Sequence, residues 1–224
     1  MISQYVALVR RDLRLMATRG PEMLGAIFFF AVIACLFAIT LSAHETLLAL
    51  AAPGILWISA LLSALLALDA VYQRDFEDGT LDLLLMSPLS TPGIAGAKML
   101  SHWILSGLGL VVASLIVAPM IGIPPELIGT LALSLGLGTL YMSLLGGVGA
   151  CLTLGARRSG LLLAVLVLPL IVPMLILGVL TAEAALAALP YKAYLLLQLA
   201  MVIAALGLAP AAAAAFLNMH LRSS

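Results

Sequence analysis

One stretch of the chain gathers most of the side chains that could do chemistry. Arg74-Asp75-Phe76-Glu77-Asp78-Gly79-Thr80-Leu81-Asp82-Leu83-Leu84-Leu85-Met86-Ser87-Pro88-Leu89-Ser90 holds, with Asp69 just before it, five of the ten acidic residues. Its order is that of a turn followed by a short helix. Gly79 permits the turn, Thr80 suits a helix cap, Asp82 suits the positive end of the helix, and Pro88 halts it. A leucine-rich helix of about two turns is too short to persist alone, so it has to rest on the bilayer, its own protein or a partner. A leucine face with an acidic start suits a groove on a soluble partner, and equally an ordinary helix lying in a membrane interface.

Other constellations fall short of chemistry. His102 and Ser106 stand four apart, but hydrolysis also needs a group to orient the base and a donor for the oxyanion, and neither is evident. Haem needs an axial ligand, yet His44, His102 and His220 have no partner at ligand spacing and no C-x-x-C-H occurs, so a structural role is expected for each. Cys35 and Cys151 lie far apart in apolar runs without a CxxC and read as small hydrophobes. There is no phosphate-binding G-x-x-x-x-G-K-[ST] and no H-E-x-x-H. The expectation is a chain with no catalytic residue, no metal and no cofactor of its own, its ten methionines serving as packing.

The elements that carry these residues follow from composition. Of 224 residues, 64% are hydrophobic and 9% charged, and mean hydropathy is +1.26. Soluble domains have about 45–50% apolar and about 25% charged residues. The balance excludes a soluble enzyme, a nucleic-acid binder and a disordered tail, and predicts an all-α membrane protein with one transmembrane domain over residues 1–224. Residues 2–19 read as an amphipathic interface helix, with Ile2, Tyr5, Val6, Val9, Leu13 and Met16 at helical spacing and Ser3, Arg10, Arg11 and Arg14 largely elsewhere. Gly20-Pro21 ends it, and its arginines follow an amphipathic stretch before the first long apolar run, whereas a secretory signal puts its apolar core right after a short basic start and then a small-residue cleavage site. Six spans are expected at about 22–42, 49–72, 94–121, 127–154, 159–181 and 193–217. Pro124-Pro125 turns the chain between the third and fourth, and Thr91-Pro92 serves as cap and first turn of the third.

Orientation comes from the basic residues of short loops. With the N-terminus inside, the inner side carries Arg10, Arg11, Arg14, Arg19, Arg74, Lys98, Arg157, Arg158 and Arg222, and the outer side only Lys192. Both termini are then cytoplasmic. Tyr191 and Tyr194 suit the outer interface and Tyr72 the inner one. Glu22, Asp69, Lys98 and His102 lie toward span ends, and the lack of an ionisable group near any midplane argues against an ion-driven carrier.

The spans have internal texture. Ser59, Ser63 and Ala67 form a small-residue ridge in the second, joined by Ala60 and Ala64. Gly146, Gly147, Gly149 and Ala150 form another in the fourth, and such ridges let helices approach closely. Pro169 and Pro173 predict a kink in the fifth span, read either as static geometry or as a hinge, and Pro210 does the same in the sixth.

The string Glu77-Asp78-Gly79-Thr80-Leu81-Asp82 through Leu85-Met86-Ser87-Pro88-Leu89-Ser90 resembles the E-x-G-T-[LF]-[ED]-x-L-L-x-x-P-[LI] signature of ABC-2-type exporter permeases. Within these, the chain resembles the CcmB family over nearly its whole length. The matching pieces are Ala52-Pro53-Gly54-Ile55-Leu56-Trp57, Leu61 to Leu68, Ala97-Lys98 with His102-Trp103, and Val167-Leu168-Pro169-Leu170 with Pro173. The resemblance implies a type V exporter-like permease subunit in the inner membrane, without ATPase activity, in which Glu77, Asp78, Gly79, Thr80, Leu81, Asp82, Leu84, Leu85 and Pro88 form a coupling helix that docks on an ATPase subunit. It implies as partners a CcmA-like ATPase that binds ATP, CcmC-like and CcmD-like membrane proteins, indirectly a CcmE-like haem chaperone, and a second copy of the chain, with haem as possible cargo in cytochrome c maturation. Two other readings are an exporter of another amphiphile and a non-transporting scaffold for the ATPase.

Overall fold

The structure, a computed structural model, describes residues 2–18, 20–68, 70–156 and 159–223. Arg19, Asp69, Arg157 and Arg158 lie outside the described residues, as do the side chains of Ile2, Met16, Glu22, His220 and Arg222. Among the described residues every regular element is helical. In order they are α1 (Ile2–Thr18), α2 (Gly20–Leu41), α3 (Glu45–Leu68), α4 (Ala70–Glu77), α5 (Thr80–Leu85), α6 (Thr91–His102), α7 (Leu108–Met120), α8 (Ile128–Leu152), α9 (Ser159–Leu186) and α10 (Lys192–Ser223). A π-helical turn over Trp103–Gly107 joins α6 to α7, and a 3₁₀ turn over Pro125–Leu127 precedes α8.

Among the described residues six segments are long and apolar enough to cross a membrane: Leu24–Leu41, Glu45–Glu77, Thr91–Met120, Pro125–Leu152, Gly160–Leu186 and Lys192–Met219. The chain is a multi-pass all-α membrane protein. Helical structure carries on through α4 to Glu77, beyond the polar residues near 72 where the second span was expected to end.

α8 occupies the middle of the bundle, packed against α3, α6, α7, α9 and α10. Its small residues allow this. A side chain at Gly146 would meet Leu68, one at Gly147 would meet Met99, and one at Gly149 would meet Val167. Trp57 of α3 is sealed between Gly138 of α8 and Gly178 of α9, where a Cβ at either glycine would run into the indole. Ser59 and Ser63 of the expected ridge are fully buried and Ala67 is half-buried. Close approach of backbones is how helices pack when lipid is as apolar as the side chains.

Two expectations about caps are corrected. Gly79, at φ 74°, is the residue before α5, and Thr80 lies inside the helix. The Thr80 amide donates to Asp78 Oδ1 at 3.0 Å, so the carboxylate two residues back takes the role expected of the Thr80 hydroxyl. Ser90, not Thr91, caps α6, its Oγ accepting from the Gly93 amide at 3.3 Å with Pro92 in the first turn.

The face of α1 is also corrected. Leu8 and Asp12 are its buried residues, with Tyr5 and Val9 partly covered, while Val6 is 60% exposed. The inward stripe therefore runs through 5, 8, 9 and 12 against α6, with Leu13 also partly covered, and it leaves Val6 outside. The hydrophobic period could not show this, because the inward stripe includes a carboxylate whose partner is on another helix.

Candidate functional site

The acidic loop of the sequence becomes a hairpin at one end of the bundle. α4 closes with the Asp78 amide donating to the Arg74 carbonyl and the Gly79 amide to the Phe76 carbonyl. Gly79 supplies the left-handed turn that other residues adopt only at a cost. α5 then returns as six residues, with Asp82 in its first turn. Its last turn is closed by Met86 and Ser87 amides donating to the Asp82 and Leu84 carbonyls, and Ser90 starts α6.

The leucines of α5 divide between two faces. Leu81 is fully buried in the main core. Leu84 and Leu85 are half-buried and pack, with Val9 and Leu89, against Leu8, Ile94 and Ala97, so they face this chain's own α1 and α6. Leu83 and Met86 point outward at 71% and 80% exposed, flanked by exposed Asp82 and Pro88. Glu77 and Asp78 are exposed at the start of the turn, Glu77 accepting from the Gln73 side chain at 2.9 Å. The nine residues expected to couple thus share one hairpin, but not one face.

Two features that sequence reasoning missed fasten α1 to this hairpin. The Tyr5 hydroxyl lies 2.9 Å from Ser90 Oγ and accepts from the Ser90 amide at 3.2 Å. Lys98, 1% exposed on α6, ion-pairs directly with Asp75 of α4 and lies 3.5 Å from Asp12 of α1. Arg11 of α1 stands 3.5 Å from both Asp12 and Asp75. The ring of Tyr72, whose hydroxyl donates to the Ala95 carbonyl at 3.3 Å, covers the Lys98 ammonium at 5.9 Å. One clue was legible in the sequence, since a lysine within the apolar run from 94 must find counter-charges, and Asp12 is the one acid among the arginines of residues 2–19.

Elsewhere the interior carries more polarity than the span sequences suggested. His102, 5% exposed, shares a hydrogen bond with Ser143 at 3.0 Å through Nδ1. Trp103 donates to Thr139 at 3.3 Å, and Ser134 pairs with Gln198 at 3.1 Å. His44 is exposed between α2 and α3. Cys35 and Cys151 are both free. Pro169 and Pro173 lie on the outward face of α9, which is one helix through both. Tyr141 donates to the Leu170 carbonyl at 3.3 Å, next to the carbonyl that Pro173 deprives of its donor.

Residues 3–220 match the family described as CcmB protein. The heme exporter protein B of Pseudomonas aeruginosa is 42% identical over 219 residues, covering 98% of each chain. That of Paracoccus denitrificans is 42% identical over 216 residues, covering 96% of this chain and 99% of its own. That of Escherichia coli is 37% identical over 213 residues, covering 95% and 97%. A six-span bundle with a short helix hung between its second and third spans, matched end to end at this identity, places the chain in the CcmB family.

Proposed function

We propose that this chain is the membrane permease subunit of an ABC transporter complex in cytochrome c maturation. It couples ATP hydrolysis by a separate, CcmA-like ATPase to haem export or to release of a haem-loaded, CcmE-like chaperone. The observation that carries the reading is α5, a helix held by its inward leucines that still turns Asp82, Leu83 and Met86 outward. An exposed apolar pair with an adjacent acid is a small docking surface for a soluble partner. The signature residues divide the work: Gly79, Leu81, Leu84, Leu85 and Pro88 shape and seat the helix, and Asp82 with its exposed neighbours meets the ATPase. The complex includes CcmC-like and CcmD-like membrane proteins and a second copy of this chain, and ATP is bound by the ATPase alone. The distribution of basic residues supports an inner-membrane orientation with both termini and α5 cytoplasmic.

The test is a haem stain for covalent c-type cytochromes in a deletion strain, with b-type cytochromes as control. The wild-type gene restores c-type cytochromes. Leu83→Asp with Met86→Asp inserts normally, fails to hold the ATPase on co-purification and restores none. Retention of both ATPase and c-type cytochromes by that variant overturns the docking assignment, and normal c-type cytochromes in the deletion strain overturn the function.

A further inference from the structure

Among the described residues Lys98, Asp75, Asp12 and Arg11 form a set of two acids and two bases from three helices. Asp75 lies on α4, five residues before α5 begins, and Lys98 lies on α6, just after the hairpin ends. Between them these two side chains bridge the base of the α4–α5–α6 hairpin. Asp12 and Arg11 then bind α1 to the same point, and Tyr5 binds it again at Ser90, on the far side of α5. Leu8 and Val9 fill the space between the two attachments, against Ile94, Leu84 and Leu85. α1 is fastened at both ends of the segment that faces the hairpin, and in sequence a single residue separates it from α2, the first span.

A buried ion cluster is a poor choice for static adhesion. Lys98 and Asp12 are buried while Arg11 and Asp75 are partly exposed, and taking such charges out of water costs about as much as their attraction returns, so apolar residues of the same volume serve stability as well or better. What charges give and apolar surface does not is a defined register, because a slip of one helix leaves a buried charge unpaired. We propose that the Arg11–Asp12–Lys98–Asp75 cluster is a transmission latch, with Lys98 its central positioning residue, that makes α1 move as one body with the α5 hairpin and delivers the ATPase stroke to α2. The proposal rests on the reading of α5 as the docking helix and extends it to a second output: α5 drives α3 through α4, the third span through α6, and the first span through α1.

The test uses the whole complex. Lys98→Met retains ATPase binding and hydrolysis but lowers c-type cytochrome formation about tenfold or more. Lys98→Arg, which keeps the charge, restores it. Should Lys98→Met fail to accumulate, Asp12→Asn with Lys98→Met removes the stranded carboxylate. The latch predicts that this pair restores protein level without restoring cytochromes. Recovery of both overturns it, as does normal maturation by Lys98→Met alone. Independently of any cluster mutation, spin labels at Val6 and Leu100 report the spacing of α1 from α6 in a complex with the four charges intact. A change under about 2 Å between nucleotide-free and ATP-bound states supports the latch, and a larger one overturns it. Loss of function in the Leu83→Asp, Met86→Asp variant alongside normal function of Lys98→Met rejects the latch while leaving the docking assignment standing.

Discussion

Trp57 is the largest side chain sealed inside the bundle, and it shows how narrowly the packing is cut. Its ring fills the gap that Gly138 and Gly178 leave open. Gly178→Val puts two methyl groups where the indole lies, and overpacking of this kind costs about 1–3 kcal/mol. The expected outcome is a lower thermal midpoint of the purified protein, while Gly207→Val, at an open position of α10, leaves the midpoint unchanged. On α5, single residues diverge in the same way. Leu84→Asp buries a carboxylate against Leu8 and Ile94 and reduces the amount of chain in the membrane, whereas Leu83→Asp leaves the amount unchanged. The sequence showed that these leucines belong to one short helix. It did not show which of them face inward, because a helix of six residues has too few turns for a period to appear.

At the scale of elements, the long spans were legible and the amphipathic helix only half so. Runs of some twenty apolar residues announce themselves, because lipid leaves a chain no alternative to helix. The orientation of α1 was only partly legible, since its inward stripe joins its own Leu8 and Val9 to Asp12, whose partner Lys98 lies on α6. α9 poses a similar question. Its prolines face outward, and Tyr141 of α8 caps a carbonyl at their level, so the break in hydrogen bonding is braced on one side only. If this is the hinge, Pro169→Ala with Pro173→Ala restores two backbone donors and stiffens the helix. That variant is expected to insert and bind the ATPase normally but to slow haem delivery per ATP hydrolysed, measured in proteoliposomes. An unchanged ratio assigns the prolines to static packing.

For the whole molecule, the distribution of charge sets the expected orientation of the bundle. All but one of the basic residues fall on the side expected to be cytoplasmic, and Lys192 alone lies across from them. Alkaline phosphatase inserted at the 188–191 turn is expected to be active, and a fluorescent protein fused after Ser224 to fluoresce. The reverse pattern would place α5 and its docking face on the wrong side for a cytoplasmic ATPase. This topology is an expectation that rests on counts of residue types. The latch could not be read from sequence, because it depends on three helices meeting, and separations of 63 and 86 positions from Asp12 to Asp75 and Lys98 leave no local pattern.

The slot for Trp57 also sets a timetable for biosynthesis. Its near wall is Gly138 and its far wall is Gly178, 121 residues after the tryptophan (178 − 57). At about 5–20 residues per second, the ribosome takes on the order of ten seconds to make the intervening chain. Through that interval the indole of α3 lacks its far wall. A nascent chain stopped before α9 is therefore the form in which Trp57 has no far wall.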